Sequence, residues 1–188
     1  MPRNYYYLIA SLPHINYGDK PPMSTEEFKV MCSTNLSPGH AALLQYCRYD
    51  PKLAVDTTDS TGSPFIDLLM LRERVLNLNL VALRAAKLNR LSPGEPPHDV
   101  PRAEAVAKAA FEIEDPFEAE LYIDRARWGA LDEMVGIDYF GVDNIYAYLL
   151  KLGLLERRQR FDVEKGFAQY RELYSKIVNA IPSFKEDR

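Results

Sequence analysis

Carboxylates, histidines and cysteines are the residues of this 188-residue chain that could carry chemistry, and their spacing argues against most of it. Asp56 and Asp59 follow the apolar Leu53-Ala54-Val55, a setting that invites comparison with an aspartyl nucleophile loop. That chemistry needs carboxylates at i and i+2 at the end of a buried strand. Here they stand at i and i+3, and Asp56-Thr57-Thr58-Asp59-Ser60-Thr61-Gly62 reads as a solvated loop that also fails the Ca²⁺-loop pattern. His14, His40 and His98 are scattered beside prolines and glycines, without the short spacing of a metal site or a neighbouring nucleophile to activate. The nine glycines are dispersed, so no phosphate-cradling loop is expected. Cys32 and Cys47 form no Cys-x-x-Cys and read as buried thiols of a reducing compartment. No catalytic residue, metal or cofactor is expected. An enzyme built from the 56–62 loop and His98 would require those groups to converge in one concave pocket.

A further group is Glu118, Glu120 and Asp124. Glu120 and Asp124 share a helix face at i and i+4, and Arg127 follows Asp124 at i+3, so helix-surface ion pairing accounts for them more simply than acid–base work. Trp128 reads as a core or interface anchor rather than a ligand stacker.

Helix-start signals dominate the elements that must position these residues. Met23-Ser24-Thr25-Glu26-Glu27-Phe28 is a complete capping box, with Met23 and Phe28 placed as the hydrophobic staple. Ser37-Pro38, Ser63-Pro64 and Asp115-Pro116 each put an oxygen-bearing cap before a proline at the first helical position. Periodicity agrees. Ile145, Tyr148, Leu149, Leu152 and Leu155 trace one helical face; Phe167, Tyr170, Leu173, Tyr174, Ile177, Val178 and Ile181 trace another. The brief link at Phe161-Asp162 predicts that these two faces pack as an antiparallel hairpin. A helix from Ser63 to Arg90, roughly 40 Å long, is apolar on several sides and is expected to be covered from several directions, either by its own domain or by a partner. Tyr5 to Leu12 reads as an extended or helical segment against the bundle, since a lone strand has no partner here. The fold class is therefore all-α, an antiparallel helical bundle.

The one boundary signal is Leu91 to Pro101, with four prolines and a glycine. It divides an N-terminal helical half, 1–91, from a C-terminal half, 101–188. The halves form either two helical subdomains or a single compact domain interrupted at 92–101. With 47% hydrophobic and 27% charged residues the chain can bury an ordinary core. A net charge of −4 argues against a nucleic-acid surface. Arg157-Arg158-Gln159-Arg160 suits a helix C-terminus, where positive charge complements the dipole. No run approaches a membrane span or a secretory leader, so direct membrane insertion is not expected. Twelve tyrosines against one tryptophan suit either protein-binding surfaces or the margins of a small core.

Two stretches carry a family likeness. Phe117-Glu118-Ala119-Glu120-Leu121-Tyr122-Ile123-Asp124-Arg125-Ala126-Arg127-Trp128 is followed by Val142-Asp143-Asn144-Ile145-Tyr146-Ala147-Tyr148-Leu149-Leu150-Lys151-Leu152-Gly153-Leu154-Leu155. The pairing resembles the repeated unit of the funnel-shaped central-stalk component of V/A-type rotary ATPases, known as the C or d subunit. The opening Asn4 to Pro13 resembles that of a small uncharacterised bacterial family encoded among V-type ATP synthase subunits. Asn77 to Lys87 can be laid beside Asn144 to Lys151 as an internal echo, although any two Leu-rich helices align about as well. The resemblance implies an all-helical, non-catalytic component or accessory factor that contacts the central stalk and rotor ring. That places it in the cytoplasm, peripheral to the membrane through its complex. A free-standing helical adaptor for another protein is the alternative. Glu120, Asp124, Trp128, Asp143, Asn144 and Ile145 match the motif and are its partner-contact candidates, with Asp143 expected to cap its helix. The full central-stalk component is much longer, so this chain would be a reduced version, an oligomer or an accessory factor.

Overall fold

The computed structural model describes residues 5–50, 60–91, 100–160 and 163–180. Among these residues the chain is all-helical. Three short helices, α1 (Tyr6–Ser11), α2 (Thr25–Asn35) and α3 (Pro38–Leu43), and a 3₁₀ turn at Leu44–Tyr46 precede five longer ones. These are α4 (Pro64–Lys87), α5 (Pro101–Glu112), α6 (Pro116–Val135), α7 (Val142–Arg160) and α8 (Val163–Ala180).

The four caps expected at Ser24, Ser37, Ser63 and Asp115 are made. Ser24 Oγ accepts from the Glu27 amide at 3.1 Å while the Glu27 carboxylate accepts from the Ser24 amide at 2.8 Å. Ser37, Ser63 and Asp115 accept from the amides of His40, Ile66 and Phe117. Each satisfies one of the orphan donors that a helix start leaves open. Tyr5 to Leu12 resolves as the short helix α1, with Tyr5 and Leu8 buried in the core.

The largest core cluster joins both halves of the chain. Phe28 and Cys32 of α2 meet Phe65, Ile66 and Leu69 of α4 and the inner face of α7 from Ile145 to Leu152. A second cluster sets Val75, Leu76 and Leu80 of α4 against Ala103, Ala107 and Ala110 of α5. Alanine at these i, i+4, i+7 positions lets the two helices approach closely. Neighbouring side chains fix directions: the pairs Lys151–Asp132 and Arg157–Glu120 make α6 and α7 antiparallel, and α4 also opposes α6, since Leu69 and Met134 line one cleft and Lys87 and Pro116 another. Lys87 lies 5.5 Å from the Phe111 ring at the C-terminal ends of α4 and α5, so those two run the same way, both opposed to α6.

The outer ridge of α4, at Leu68, Leu71 and Val81, is left open by the described residues. One expectation is corrected: the α7–α8 hairpin is not formed. Tyr148, Leu149, Leu152 and Leu155 are taken up by α2, the N-terminal segment and Trp128, which leaves α7 no apolar face for α8. On α8, Tyr170, Leu173, Tyr174 and Ile177 are exposed. The proposed boundary at 92–99, the residues 56–59, His98, the Phe161-Asp162 link and Ile181 lie outside the described residues, as do the side chains of Phe167 and Val178.

Candidate functional site

Most of the motif residues meet along the α6–α7 seam. Arg127 leaves α6 between two acids: its guanidinium is bidentate to Glu73 of α4, at 3.0 and 2.7 Å, and donates to Asp124 at 3.0 Å. Asp124 also accepts from Arg157 of α7 at 3.4 Å, and Arg157 pairs with Glu120. One network of five charges thus ties three helices together. Spacing alone puts it on the helix surface, yet its centre is internal: the Asp124 side chain is 2% exposed and that of Arg127 11%, while Arg157 and Glu120 form its half-exposed edge. The reason is position, since α4 and α7 close over the face that carries them.

Burial pushes the Asp124 carboxyl above the usual carboxylate range, more than Arg127 and Arg157 pull it down. Burial disfavours the Arg127 cation, but Glu73 and then Asp124 hold it protonated. Asp124 Oδ2 and Tyr49 Oη are buried without a hydrogen-bond partner among the described residues. The Arg127 guanidinium lies over the Tyr49 ring at 4.8 Å, an arrangement that stabilises the cation when water is excluded. Glu73, Arg127 and Tyr49 line a small cleft whose remaining walls, such as Leu76, Ile123 and Leu131, are mostly apolar. Sequence reasoning singles out neither Glu73 nor Tyr49, and reads Arg157 only as a dipole partner. Glu73 stands 54 residues from Arg127, beyond any local spacing rule.

Trp128 is buried with Ile15, Leu154 and Leu155, as an anchor should be. Tyr17 meets its ring edge-on at 5.6 Å and the Lys151 ammonium lies 4.9 Å from it. Ile145 is fully buried in the main cluster. Asp143 does not cap α7. The helix starts at Val142, placing Asp143 in its first turn, where a negative charge complements the dipole. Burial, and then Asp138, push the Asp143 carboxyl above its usual range. Asn144 donates its side-chain amide to the Asp138 carbonyl at 2.5 Å, closing the α6–α7 turn. That turn leaves α6 through Gly136, whose φ of 65° a side chain would disfavour.

The tyrosines explain much of how the N-terminal segment is held. Tyr148 donates to the Pro13 carbonyl at 2.9 Å, Tyr17 to Leu121 at 3.0 Å and Tyr146 to His40 at 3.1 Å, while Tyr5 Oη lies 2.7 Å from His40 Nδ1. His14 meets Asn16 at 3.0 Å, so the two described histidines are both engaged in hydrogen bonds. Burial pushes the Cys32 thiol up to about 11 and that of Cys47 up to about 12, which keeps both protonated and unreactive at neutral pH.

The outward features are apolar. At the α6–α7 turn Ile137 is 90% exposed, with Tyr139 and Tyr7 also open, and Tyr6 contacts Phe140 at 4.7 Å between ring centres. Beside it an open groove runs between Pro13-His14, Asp132, Tyr139, Asn144 and Lys151. No helix among the described residues is long and apolar enough to cross a membrane.

Neither a curated protein nor a solved structure matches the chain. A family model does match from residue 98 to residue 181, the stretch that includes α5, α6, α7 and α8 and every motif residue discussed above. Over that stretch the chain is similar to a family described as a protein of unknown function, DUF2764.

Proposed function

We propose that this protein is a non-catalytic component or accessory factor of a bacterial V/A-type rotary ATPase, a central-stalk linker that serves ion transport through protein contacts alone. What supports the reading is the α6–α7 pair. The two stretches that resemble the repeated central-stalk unit fold into a single hairpin, and most of their distinctive residues are engaged in building it. Asp124 and Trp128 are buried at its seam and Ile145 in the main core. A charge network that spans α4, α6 and α7 suits an element that must carry load without deforming, because its bonds are directional and those between α4 and α6 are also desolvated. The partners in this reading are the central stalk and the rotor ring, and attachment to the membrane is peripheral, through them.

Purification of the tagged chain from gently solubilised native membranes tests it. Rotary ATPase subunits should accompany the chain in fixed proportion; recovery without any of them rejects the reading. A free-standing helical adaptor is the second reading, favoured by the open apolar side chains at Ile137, Tyr139 and along α8. It is separated from the first by the identity of the co-purified protein.

A further inference from the structure

The C-terminal helix poses a physical problem. It has 18 residues, and no other helix packs along it among the described residues. Isolated helices of that length are marginal in water, so helical stability normally comes from covering an apolar face. Here the face is present and open: Tyr170, Leu173, Tyr174 and Ile177 are each about 60% exposed. The rings of Tyr170 and Tyr174 stack at 6.1 Å between centres, so the face is preformed.

The spacing of that face specifies what fits it. In the amino-acid sequence, Val163, Phe167, Tyr170, Tyr174, Ile177 and Ile181 alternate steps of four and three, the a/d pattern of a coiled coil. A strict heptad is complementary to another helix carrying the same heptad. The two tyrosines each leave on the order of 100 Å² open. Doubled, and with Leu173 and Ile177 added, the covered area comes close to the ~1,000 Å² that a specific interface needs. Charge selects the orientation. An antiparallel pair centred on this seam brings the two Arg171 side chains together at the axis. A parallel pair instead sets Arg171 beside Gly166 of the other copy, with no like charge facing it. Lys176 is already paired with Glu172 of its own helix at 2.6 Å.

We infer that α8 is a self-association element, through which a second copy of this chain pairs as a parallel, two-fold coiled coil. The inference does not depend on the rotary-ATPase reading, because the purified chain alone tests it. Light scattering behind size exclusion should give a dimer for the full chain at micromolar concentration and a monomer for Tyr174→Lys. The main melting transition of that variant should be unchanged, since Tyr174 is 59% exposed and belongs to none of the buried clusters. Ile177→Lys, at a d position, should behave in the same way. Ile177→Cys should form an interchain disulfide on mild oxidation, because d positions of a parallel pair face each other; Cys32 and Cys47 are buried and give no background. A monomeric wild type, or a Tyr174→Lys variant that remains dimeric, overturns self-association through α8. A dimer whose Ile177→Cys form does not crosslink overturns the parallel arrangement.

Discussion

Arg127 has the most to lose by substitution. It is nearly buried, bidentate to Glu73 and bonded to Asp124, so removing it leaves the Glu73 carboxylate desolvated without its counter-charge and Asp124 with only the longer contact to Arg157. Arg127→Ala should cost about 3–5 kcal/mol of stability, read by urea unfolding. Arg127→Lys should recover only part of this, because an ammonium cannot make the bidentate pair. Asp124 behaves differently. Its carboxyl is raised above the usual range because burial outweighs its two arginine partners. The folded state therefore binds the Asp124 proton more tightly than the unfolded chain does, and this group's contribution to stability rises as pH falls through its raised value. Asp124→Asn should destabilise less than Arg127→Ala at neutral pH. The advantage of the wild type over Asp124→Asn should then grow on acidification, until the unfolded carboxyl also protonates. A difference that is flat with pH would contradict the burial argument. Little of this network is legible in the sequence. The Asp124–Arg127 pair is local and visible at i, i+3, but Glu73 and Arg157 reach it only through tertiary packing, which no local spacing encodes.

Helix starts, by contrast, are legible, because a cap depends on residues within one turn. Ser24→Ala breaks the capping box and should cost about 1 kcal/mol, measured as a shift in unfolding midpoint. Asp143→Ala should cost less than that, since Asp143 lies inside the first turn of α7 and makes only a dipole contribution. Leu152, fully buried on α7, belongs to the main core, and Leu152→Ala should cost about 2–5 kcal/mol. Periodicity identifies the apolar faces of both α7 and α8 but not what they meet. Amphipathicity says that a face will be covered, whereas the partner depends on which helix reaches it first. For α7 that is α2 and the N-terminal segment, tied down by Thr25 to Glu156 at 2.7 Å and by the Tyr148 hydroxyl. The expected mate, α8, is left with its stripe outward. The internal echo fares no better as a structural repeat: Asn77 lies in the middle of α4, while Asn144 lies in the first turn of α7.

As a whole molecule, the protein is a helical body whose two halves share a core, with its open apolar surface at the α6–α7 turn and along α8. Capping and periodicity sum over the whole chain, which is why the all-helical class is readable without a structure. The proposed function is carried by the resemblance of the α6–α7 hairpin to the central-stalk unit, and a mechanical role asks for a stiff body with exposed docking faces. The most direct measurement is recovery of the tagged chain, expressed at its native level, from gently solubilised membranes, with its companions quantified by mass spectrometry. The account predicts central-stalk and rotor proteins in constant ratio to the chain, and a lower ratio for Ile137→Asp, an exposed turn residue whose loss leaves the core intact. Recovery of the intact chain with no rotary ATPase component, while the enzyme itself is present and assembled in the same membranes, would contradict it.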